Sequence, residues 1–462
     1  MNPTDFRSLP LHRALLDNLA SLSYHAMTPV QAQSLPPMLD GRDVIAHAKT
    51  GSGKTAAFGL AVLQGLEPKR LSVQAMVLCP TRELADQVAT ELRKLARALK
   101  NIKVLTLCGG MPFGPQVGSL EHGVHIVVGT PGRVEKHLGK GTLALSGLTC
   151  LVLDEADRML DMGFEESIDN ILRDVPAQRQ TLLFSATFPD EILAMTHRVM
   201  SDPVTVQVDS AHDDTSIEQF FFKVDKTVSR SDAVRSLLLQ YKPESAVVFC
   251  ITKRETQEMA DALHRHGFGA LALHGDLDQK DRDQTLVRFV NKSASVLVAT
   301  DVAARGLDID ALDAVINAQF PRDFDAHTHR VGRTGRAGKK GIACTLYSDR
   351  DQPRLAQLER NLGQPLNCVP LPAARVLEQA AYKPAMTTVQ IDGGKKQKVR
   401  PGDILGALTG THGVEGKRVG KIQIFDNRAY VAVERAAANK ALTILRDGKI
   451  KGKSFKARIL FV

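Results

Sequence analysis

The stretch Ala48-Lys49-Thr50-Gly51-Ser52-Gly53-Lys54-Thr55 decides the fold of this chain. An apolar run at 43–46 predicts a short buried strand before it, and residues 56–63 predict a helix after it. A loop of small residues between a strand and a helix can hold a phosphate chain, because its backbone N–H groups and the helix dipole face the phosphates. The alternative is a glycine-rich turn that binds nothing.

The phosphate-binding hypothesis assigns a task to each part of this loop. The backbone of the loop would surround the phosphates of a nucleoside triphosphate, and Lys54 would reach the β- and γ-phosphates. The hydroxyl of Thr55 would ligate Mg²⁺. The predicted nucleotide contacts are Ala48, Lys49, Thr50, Gly51, Ser52, Gly53, Lys54 and Thr55.

An acidic motif, Asp154-Glu155-Ala156-Asp157, directly follows the apolar run 150–153. Carboxylates at the carboxyl end of a parallel strand face the crevice where such sheets bind nucleotides. Asp154 would hold Mg²⁺, partly through water, and Glu155 would orient and deprotonate the water that attacks the γ-phosphate. An acidic loop alone is common, but together with the phosphate loop it predicts a nucleoside triphosphatase.

Short apolar runs alternate with helical stretches in two series, which predicts two parallel sheets covered by helices. The predicted strands lie at 43–46, 76–79, 103–107, 125–128, 150–153 and 181–185, and then at 246–250, 270–273, 295–299, 314–317 and 341–346. The polar stretch 209–215 and the proline-bearing stretch 371–384 are typical of linkers. We therefore predict domains at 1–208, 216–370 and 385–462.

The composition excludes several classes of protein. No apolar run approaches the ~18 residues of a membrane span, and the N-terminus has neither a basic start nor an apolar signal core. The six cysteines have no CxxC spacing, so we expect buried, reduced thiols rather than zinc ligands or disulfides. These features favour a cytoplasmic protein without a membrane partner.

The positive charge of the chain is concentrated at its C-terminal end. The whole chain carries a net charge of +9, whereas residues 385–462 alone contain 16 Lys+Arg against 6 Asp+Glu. A basic module on a near-neutral body is typical of nucleic-acid targeting, although a basic surface that only aids solubility has the same composition.

Further motifs make the chain similar to the DEAD-box RNA helicases. They follow the family's order and are Pro80-Thr81-Arg82-Glu83-Leu84-Ala85, Gly109-Gly110, Thr130-Pro131-Gly132-Arg133, Ser185-Ala186-Thr187, Ala304-Arg305-Gly306-Leu307-Asp308 and His329-Arg330-Val331-Gly332-Arg333-Thr334-Gly335-Arg336. The resemblance implies an α/β fold with two tandem RecA-like parallel-sheet domains and an RNA-dependent ATPase.

The resemblance also assigns the nucleotide base. Phe6 and Tyr24-His25-Ala26-Met27-Thr28-Pro29-Val30-Gln31 are similar to the family's adenine-reading element, where an aromatic ring stacks and the Gln31 amide pairs with the adenine edge. This implies ATP rather than GTP, with Asp308 on the ribose. Serine stands at position 23 where the family usually has glycine.

Roles for the remaining motifs are implied in the same way. The implied contacts to RNA phosphates are Thr81, Arg82, Gly110, Thr130 and Arg133 in the first domain and Gly275, Arg282 and Thr300 in the second. Contacts to 2′-hydroxyls would favour RNA over DNA, so no DNA partner is expected. Ser185, Thr187 and Asp157 would couple the γ-phosphate site to the domain interface.

Arg333 and Arg336 explain why two domains are needed. From the second domain they would reach the γ-phosphate of ATP on the first domain only when the cleft closes, and would there neutralise charge developing in the transition state. Lys54, Asp154, Glu155, Arg333 and Arg336 are therefore the expected catalytic residues.

The C-terminal segment has the β-α-β-β-α-β order of a small α+β RRM-like RNA-binding domain, with strands at 387–391, 420–425, 428–433 and 456–460. Its sheet has one ring, Tyr430, where that fold stacks bases on several, so we expect Lys449, Lys451 and Lys453 and other loop cations to bind RNA. With the helicase core, this module resembles that of the bacterial DbpA group, which implies a hairpin of 23S rRNA in the pre-50S particle as the target.

Two functions remain open at this point. The first is an ATP-dependent RNA helicase that separates short duplexes during large-subunit ribosome assembly. The second is an ATP-gated RNA clamp or RNP remodeller whose main task is not strand separation. Glu155, Arg333 and Arg336 favour the enzyme, because a clamp would not need them.

Overall fold

The computed structural model describes residues 4–48, 51–188, 190–208, 217–304, 312–335, 340–410 and 412–461. These residues form two compact units that divide near Ala211. None of the described helices is both long and apolar enough to cross a membrane.

The first unit is built on a parallel sheet of seven strands in the order β3-β4-β2-β5-β6-β1-β7. Its strands are β1 (Val44–His47), β2 (Ala75–Leu78), β3 (Val104–Leu107), β4 (Ile126–Gly129), β5 (Cys150–Asp154), β6 (Gln180–Ser185) and β7 (Val204–Gln207). Its helices are α1 (Arg13–Ser21), α2 (Pro29–Leu39), α3 (Lys54–Gln64), α4 (Arg82–Leu95), α5 (Phe113–Glu121), α6 (Pro131–Gly139), α7 (Ala156–Asp161), α8 (Glu165–Asp174) and α9 (Asp190–Val199).

Both faces of this sheet are buried, because side chains of a strand point alternately to opposite sides. In β1, Val44 and Ala46 belong to one hydrophobic cluster and Ile45 to another on the opposite face. In β5, Val152 and Leu151 divide in the same way. Helices on both faces therefore leave the carboxyl ends of the strands as the place for polar residues.

The second unit repeats this architecture in the order β10-β11-β9-β12-β13-β8-β14, again with parallel pairing. Its strands are β8 (Ile217–Lys223), β9 (Ala246–Cys250), β10 (Ala270–Leu273), β11 (Val296–Thr300), β12 (Ala314–Asn317), β13 (Gly341–Tyr347) and β14 (Cys368–Val369). Its helices are α10 (Arg230–Tyr241), α11 (Lys253–Arg265), α12 (Gln279–Val290), α13 (Asp301–Ala304), α14 (Phe324–Val331) and α15 (Gln352–Leu362).

The same unit ends in a small antiparallel sheet with the order β16-β17-β15-β18. Its elements are β15 (Met386–Ile391), α16 (Pro401–Thr409), β16 (Val419–Ile424), β17 (Ala429–Glu434), α17 (Ala438–Asp447) and β18 (Ala457–Leu460). Val389, Ile391 and Val431 point to the two helices and form the core of this domain. The predicted β-α-β-β-α-β order is confirmed.

The other face of the small sheet is covered by α12 and the loop after it. Thr388 is fully buried and meets Asn291 Nδ2 at 3.1 Å and Ser293 Oγ at 2.6 Å. Gln284 Nε2 donates to Gln390 Oε1 at 3.1 Å. RRM-like domains stack bases on this face, and here its centre, at Thr388, Gln390 and Tyr430, is buried.

The fold class is confirmed, and three strands were missed. β7, β8 and β14 were not predicted, because the sequence of β7 has no continuous apolar run, β8 begins beside the predicted linker, and β14 has two residues. Residues 371–384 were predicted as a linker, yet Val376 is buried in the second core and Tyr382 packs edge-on against Phe268.

Five of the six cysteines are buried as expected, but Cys368 is exposed. It lies in the two-residue edge strand β14, whose other neighbour is solvent, so the apolar run around it does not bury it.

Candidate active site

The phosphate loop runs from the end of β1 to the start of α3, as predicted. Gly53 adopts φ +92°, a left-handed conformation that favours glycine, and α3 begins at Lys54. A β-carbon at Gly53 would lie 2.6 Å from Gln31 Nε2. This amide donates to the Gly53 carbonyl at 3.0 Å, so Gln31 holds the loop against α2.

Four charged side chains meet beside this loop and are almost completely buried. Lys54 Nζ lies 2.8 Å from Asp154 Oδ1 and 3.5 Å from Glu155 Oε1. Arg158 Nη1 donates to Glu155 Oε2 at 2.7 Å. Burial alone would lower the pKa of Lys54, but the two carboxylates outweigh it and raise the pKa above its ordinary value. Lys54 therefore stays charged, as a phosphate ligand must.

Unsatisfied polar atoms in this site indicate which ligands fit it. Within the described residues, Asp154 Oδ2 and the hydroxyl of Ser52 are buried without a hydrogen bond, while Asp154 Oδ1 is paired with Lys54. Burial raises the pKa of Asp154, against the pull of Lys54. Burying a polar group without a hydrogen bond destabilises the fold unless a ligand supplies the missing partner. A hydrated cation would satisfy Asp154, and a phosphate oxygen would accept from Ser52.

The residues present fit Mg²⁺ better than a metal with an all-protein cage. Among the described residues, no group of three His, Cys, Asp or Glu side chains could chelate a metal. Mg²⁺ is bound through one or two carboxylates together with waters and substrate phosphates. Asp154 and the hydroxyl of Thr55, in the first turn of α3, are the residues that would hold it.

Asp157, Ser185 and Thr187 are brought together by the neighbouring ends of β5 and β6. Asp157 Oδ2 accepts hydrogen bonds from the backbone N–H and the hydroxyl of Thr187, both at 3.0 Å. Ser185 Oγ accepts from the Asp157 N–H at 3.3 Å and donates to the Thr187 carbonyl at 2.7 Å. These hydrogen bonds join the ends of the two strands.

The predicted adenine element lies next to the phosphate loop through Gln31. Phe6 is buried and packs edge-on against Tyr24, with ring centroids 6.4 Å apart. Tyr24 donates to Glu91 Oε1 at 2.7 Å. Gln31 Oε1 accepts from the Thr28 N–H at 2.9 Å. The oxygen and the nitrogen of the Gln31 amide thus both form hydrogen bonds within the chain. Its contact with adenine stays a prediction.

The predicted RNA contacts of the first unit share one edge of the sheet. Thr81 caps α4 after β2, Gly110 follows β3 with φ +73°, and Thr130 precedes α6 after β4. Arg133 Nη1 donates to the Met111 carbonyl at 3.0 Å, which places this cation beside Gly110. Arg82 also contacts Met111, through the sulfur at 3.4 Å.

The second unit shows the same arrangement at the carboxyl ends of β10 and β11. Gly275 follows β10, Thr300 ends β11, and Arg282 projects from α12. Arg282 Nη2 donates to the Ala303 carbonyl at 2.9 Å, and Thr300 Oγ1 accepts from the Ala303 N–H at 3.3 Å. Arg282 and Thr300 are thus neighbours.

Lys449, Lys451 and Lys453 are exposed at a tight turn before β18. Lys451 and Gly452 both have positive φ, +52° and +77°, and the Ile450 N–H donates to the Lys453 carbonyl at 2.8 Å. Such a turn directs alternate side chains outward at its tip. The three ammonium groups are therefore available to an anionic partner.

Of the other predicted residues, Arg333 follows α14 and is buried. Lys49, Thr50, Asp308 and Arg336 lie outside the described residues.

Sequence reasoning missed three residues that position the site. Arg158 could have been found from its i+3 spacing to Glu155, the residue that precedes α7. Gln116 is buried and its Oε1 accepts from Arg133 Nη1 at 2.7 Å, a contact that no local pattern indicates. Arg330 forms two 2.6 Å hydrogen bonds with the carboxylate of Asp301 and fixes α14.

Comparison with known proteins defines the class. The DEAD/DEAH box helicase model matches residues 28–195, the helicase conserved C-terminal domain model matches 229–338, and the DbpA RNA binding domain model matches 388–459. Together with the nucleotide site, these matches define an ATP-dependent RNA helicase with an added RNA-binding domain. The chain belongs to the DEAD-box family, as the sequence motifs implied.

The chain is 53% identical over 447 residues to the ATP-dependent RNA helicase DbpA of Escherichia coli, with 97% of each protein covered. It is 45% identical over 359 residues to the DEAD-box ATP-dependent RNA helicase CshA of Bacillus cereus, covering 77% of this chain and 68% of that protein. The added C-terminal domain is thus shared with the DbpA type of helicase.

Solved structures of proteins bound to RNA are among those similar to this one. S. cerevisiae Dbp5 bound to RNA and ADP BeF3 has 29% identity and a TM-score of 0.72, covering 79% of this chain and 96% of that chain. Mss116p bound to ssRNA and AMP-PNP has 28% identity and a TM-score of 0.71, covering 80% of this chain and 79% of that chain.

Proposed function

We propose that this helicase locally separates short RNA duplexes and that its C-terminal domain brings it to a hairpin of 23S rRNA in the pre-50S particle, in the cytoplasm. The resemblance to the DbpA group supplies the identity of this target. The observation that carries the targeting is the C-terminal domain itself, which is basic and whose sheet face is buried at Thr388 and Gln390 against α12 and the loop after it. RNA would therefore meet its loops, including the turn with Lys449, Lys451 and Lys453.

The nucleotide site assigns the chemical steps of hydrolysis to this chain's own residues. The backbone of the phosphate loop and Lys54 would bind the triphosphate, which replaces the contacts that Lys54 makes with Asp154 and Glu155. Glu155 would then orient the attacking water and accept its proton, with Arg158 keeping the carboxylate in place. Mg²⁺, held by Asp154 and Thr55, would neutralise charge on the phosphates.

Coupling of hydrolysis to RNA would require both units. RNA bound to the phosphate track of each unit would favour a closed state, in which Arg333 and Arg336 reach the γ-phosphate. The network of Asp157, Ser185 and Thr187 connects the strand that carries the catalytic carboxylates to its neighbour. Closure on one strand would displace the other strand of a short duplex.

The second candidate is an ATP-gated clamp or RNP remodeller that does not separate strands as its main task. Glu155 favours hydrolysis, because a clamp would not need a general base, and Arg158 Nη1 at 2.7 Å keeps its carboxylate in place. Unwinding of a hairpin-linked duplex separates the two candidates.

Deletion of the C-terminal domain tests the targeting. An RNA containing the correct rRNA hairpin should stimulate the ATPase of the full chain at a concentration about 10²-fold lower than an unrelated RNA of equal length, because tethering raises the local RNA concentration. A chain ending at residue 384 should respond to both RNAs alike. The same ranking of RNAs in both chains would contradict targeting by this domain.

Replacing Lys449, Lys451 and Lys453 with Ala in the full chain tests the turn without removing the domain. We expect stimulation of the ATPase to need about ten-fold more hairpin RNA. The slope of the logarithm of the binding constant against the logarithm of the salt concentration should become shallower by up to about one unit per lost phosphate contact. The control changes the exposed Lys69, Lys100 and Lys226 to Ala and alters the net charge equally. An equal effect of both triple variants would assign the loss to overall charge.

A further inference from the structure

Phe113, the first residue of α5, lies at the surface of the first unit next to three cations. Its ring centroid is 5.8 Å from Arg133 Cζ, 5.8 Å from Lys136 Nζ and 5.2 Å from Lys140 Nζ. Arg133, Lys136 and Lys140 are spaced by three and four residues, so they lie on one side of the segment formed by α6 and the residue after it. An aromatic ring with several cations is the combination that binds single-stranded nucleic acid.

One face of the ring is fixed against the protein. Phe113 stacks on the buried His137 with ring centroids 4.1 Å apart and an angle of 14° between the rings. Burial and the neighbouring Arg133 and Lys136 lower the pKa of His137 to about 4. His137 is therefore neutral at pH 7 and supports the ring as an uncharged plane. Its Nε2 lies 3.1 Å from Gln116 Oε1.

The three cations lack a counterion within the described part of the chain. Neither Lys136 nor Lys140, both exposed, forms an ion pair there, and Arg133 donates only to uncharged oxygens of Met111 and Gln116. The acid on the same helix, Glu135, is engaged by Ser167 and Asn170 of α8, at 2.7 Å and 2.6 Å. Like charges gathered without an acid repel one another until an anion binds.

The surface is open at the two glycines beside the half-buried ring. A β-carbon added at Gly114 or at Gly132 would meet no atom within 4 Å. Met111, at 40% exposure, lies between Arg133 and Arg82 and continues the apolar surface toward the predicted RNA track at Gly110. The base of a nucleotide beyond that track could thus stack on the ring, and its phosphates could bind the cations.

We propose that Phe113, together with Arg133, Lys136 and Lys140, is a stacking site for an unpaired RNA base on the first unit. The site extends the proposed RNA track by about one nucleotide and holds the strand by its base, which the phosphate contacts do not read. It rests on the proposed RNA contacts of this sheet edge, and it assigns Phe113 a task that phosphate binding does not include.

Binding of a short single-stranded RNA without a hairpin, in the presence of a non-hydrolysable ATP analogue, tests the site in the full chain. Replacing Phe113 with Leu keeps an apolar side chain on His137 but removes the π-face, and should weaken binding by ~5-fold or more. Replacing Phe113 with Trp should restore or tighten binding. A strand of equal length whose nucleotides are abasic should bind the Leu variant and the wild type equally.

Two further variants test the cations. Lys136→Ala with Lys140→Ala should flatten the salt dependence of binding, whereas Lys69→Ala with Lys100→Ala, at the amino ends of β2 and β3, should not. The melting temperature of each variant checks that the packing around His137 is retained.

The outcomes separate this site from the track that it extends. If the Leu variant binds ordinary RNA as tightly as the wild type, the stacking site is wrong. If Arg82→Ala leaves the binding of ordinary and abasic strands unchanged, the proposed phosphate track is wrong, while the base-dependent loss in the Leu variant still reports stacking.

Discussion

At the scale of single residues, the predicted ATP site contains four buried charges that pair with one another. Lys54 bridges Asp154 and Glu155, and Arg158 holds the second oxygen of Glu155. Each buried charge is tolerated because its neighbour has the opposite sign, and removal of one partner leaves the other uncompensated. The nucleotide must therefore replace these contacts rather than add to them.

Replacing Glu155 with Gln should slow RNA-stimulated ATP hydrolysis by about 10²-fold or more, because the amide cannot accept the proton of the attacking water. ATP binding should change little, since Lys54 and the phosphate loop are intact. Steady-state turnover and binding of a fluorescent ATP analogue measure the two effects. The control is Glu165→Gln, the same change at an exposed acid of α8; normal turnover in the Glu155 variant would refute the assignment.

Ser23 shows how a departure from the family pattern is accommodated. It follows α1 and adopts φ +62°, where a side chain is strained and glycine is not. We expect Ser23→Gly to raise the free energy of unfolding by about 0.5 kcal/mol, measured by denaturant titration. Ser201→Gly, at an exposed serine without positive φ, should lower it. Destabilisation by both changes would mean that the strain at position 23 is negligible.

At the scale of elements, helix α14 is positioned by a buried salt bridge. Arg330 is 2% exposed, pairs with both oxygens of Asp301 and donates to Asn317 Oδ1 at 3.0 Å. The guanidinium also lies 5.0 Å from the centre of the Phe249 ring. These contacts join α14 to α13, β12 and β9. Arg333 lies two residues after the end of α14, and its N–H donates to the Arg330 carbonyl at 3.1 Å, so the position of α14 helps to place it.

Replacing Arg330 with Ala should destabilise the second unit by about 3–5 kcal/mol, because Asp301 loses its partner while half-buried. The control is Arg254→Ala in α11, which breaks an exposed pair with Glu258 at 2.7 Å and should cost less than about 1 kcal/mol. Chemical unfolding of the full chain measures both. Similar small losses would show that the buried pair adds little to stability.

At the scale of the whole molecule, the predicted catalytic residues are divided between two units. Glu155 and Lys54 belong to the first, and Arg333 belongs to the second. The chain 1–210 should therefore bind ATP but hydrolyse it about 10³-fold more slowly than the full chain with RNA, since no arginine completes the site. Arg333→Ala in the full chain should likewise slow RNA-stimulated ATP hydrolysis. Equal turnover by 1–210 and the full chain would contradict the two-unit mechanism.

Much of the site could be predicted because its motifs are local. The phosphate loop needs a strand, small residues and a helix in immediate succession, and Asp154 needs only an apolar strand before it. Arg133 was predicted as a phosphate contact, but the Gln116 amide that fixes it lies 17 residues away, and no spacing rule joins them. Similarly, β7 and β14 are edge strands that pairing rather than hydrophobic pattern defines.

The sequence by itself determined the two parallel sheets, the place of the phosphate-loop motif between a strand and a helix, and the order of the C-terminal elements, because each follows from periodicity or from residues close together in the chain. Tertiary structure alone decided what covers the face with Thr388 and Gln390, which residue steadies Glu155, and which ring supports Phe113. Those contacts join elements that are distant in sequence, and their energies depend on burial and distance. Neither burial nor distance can be read from a sequence pattern, because both are set only when the chain folds.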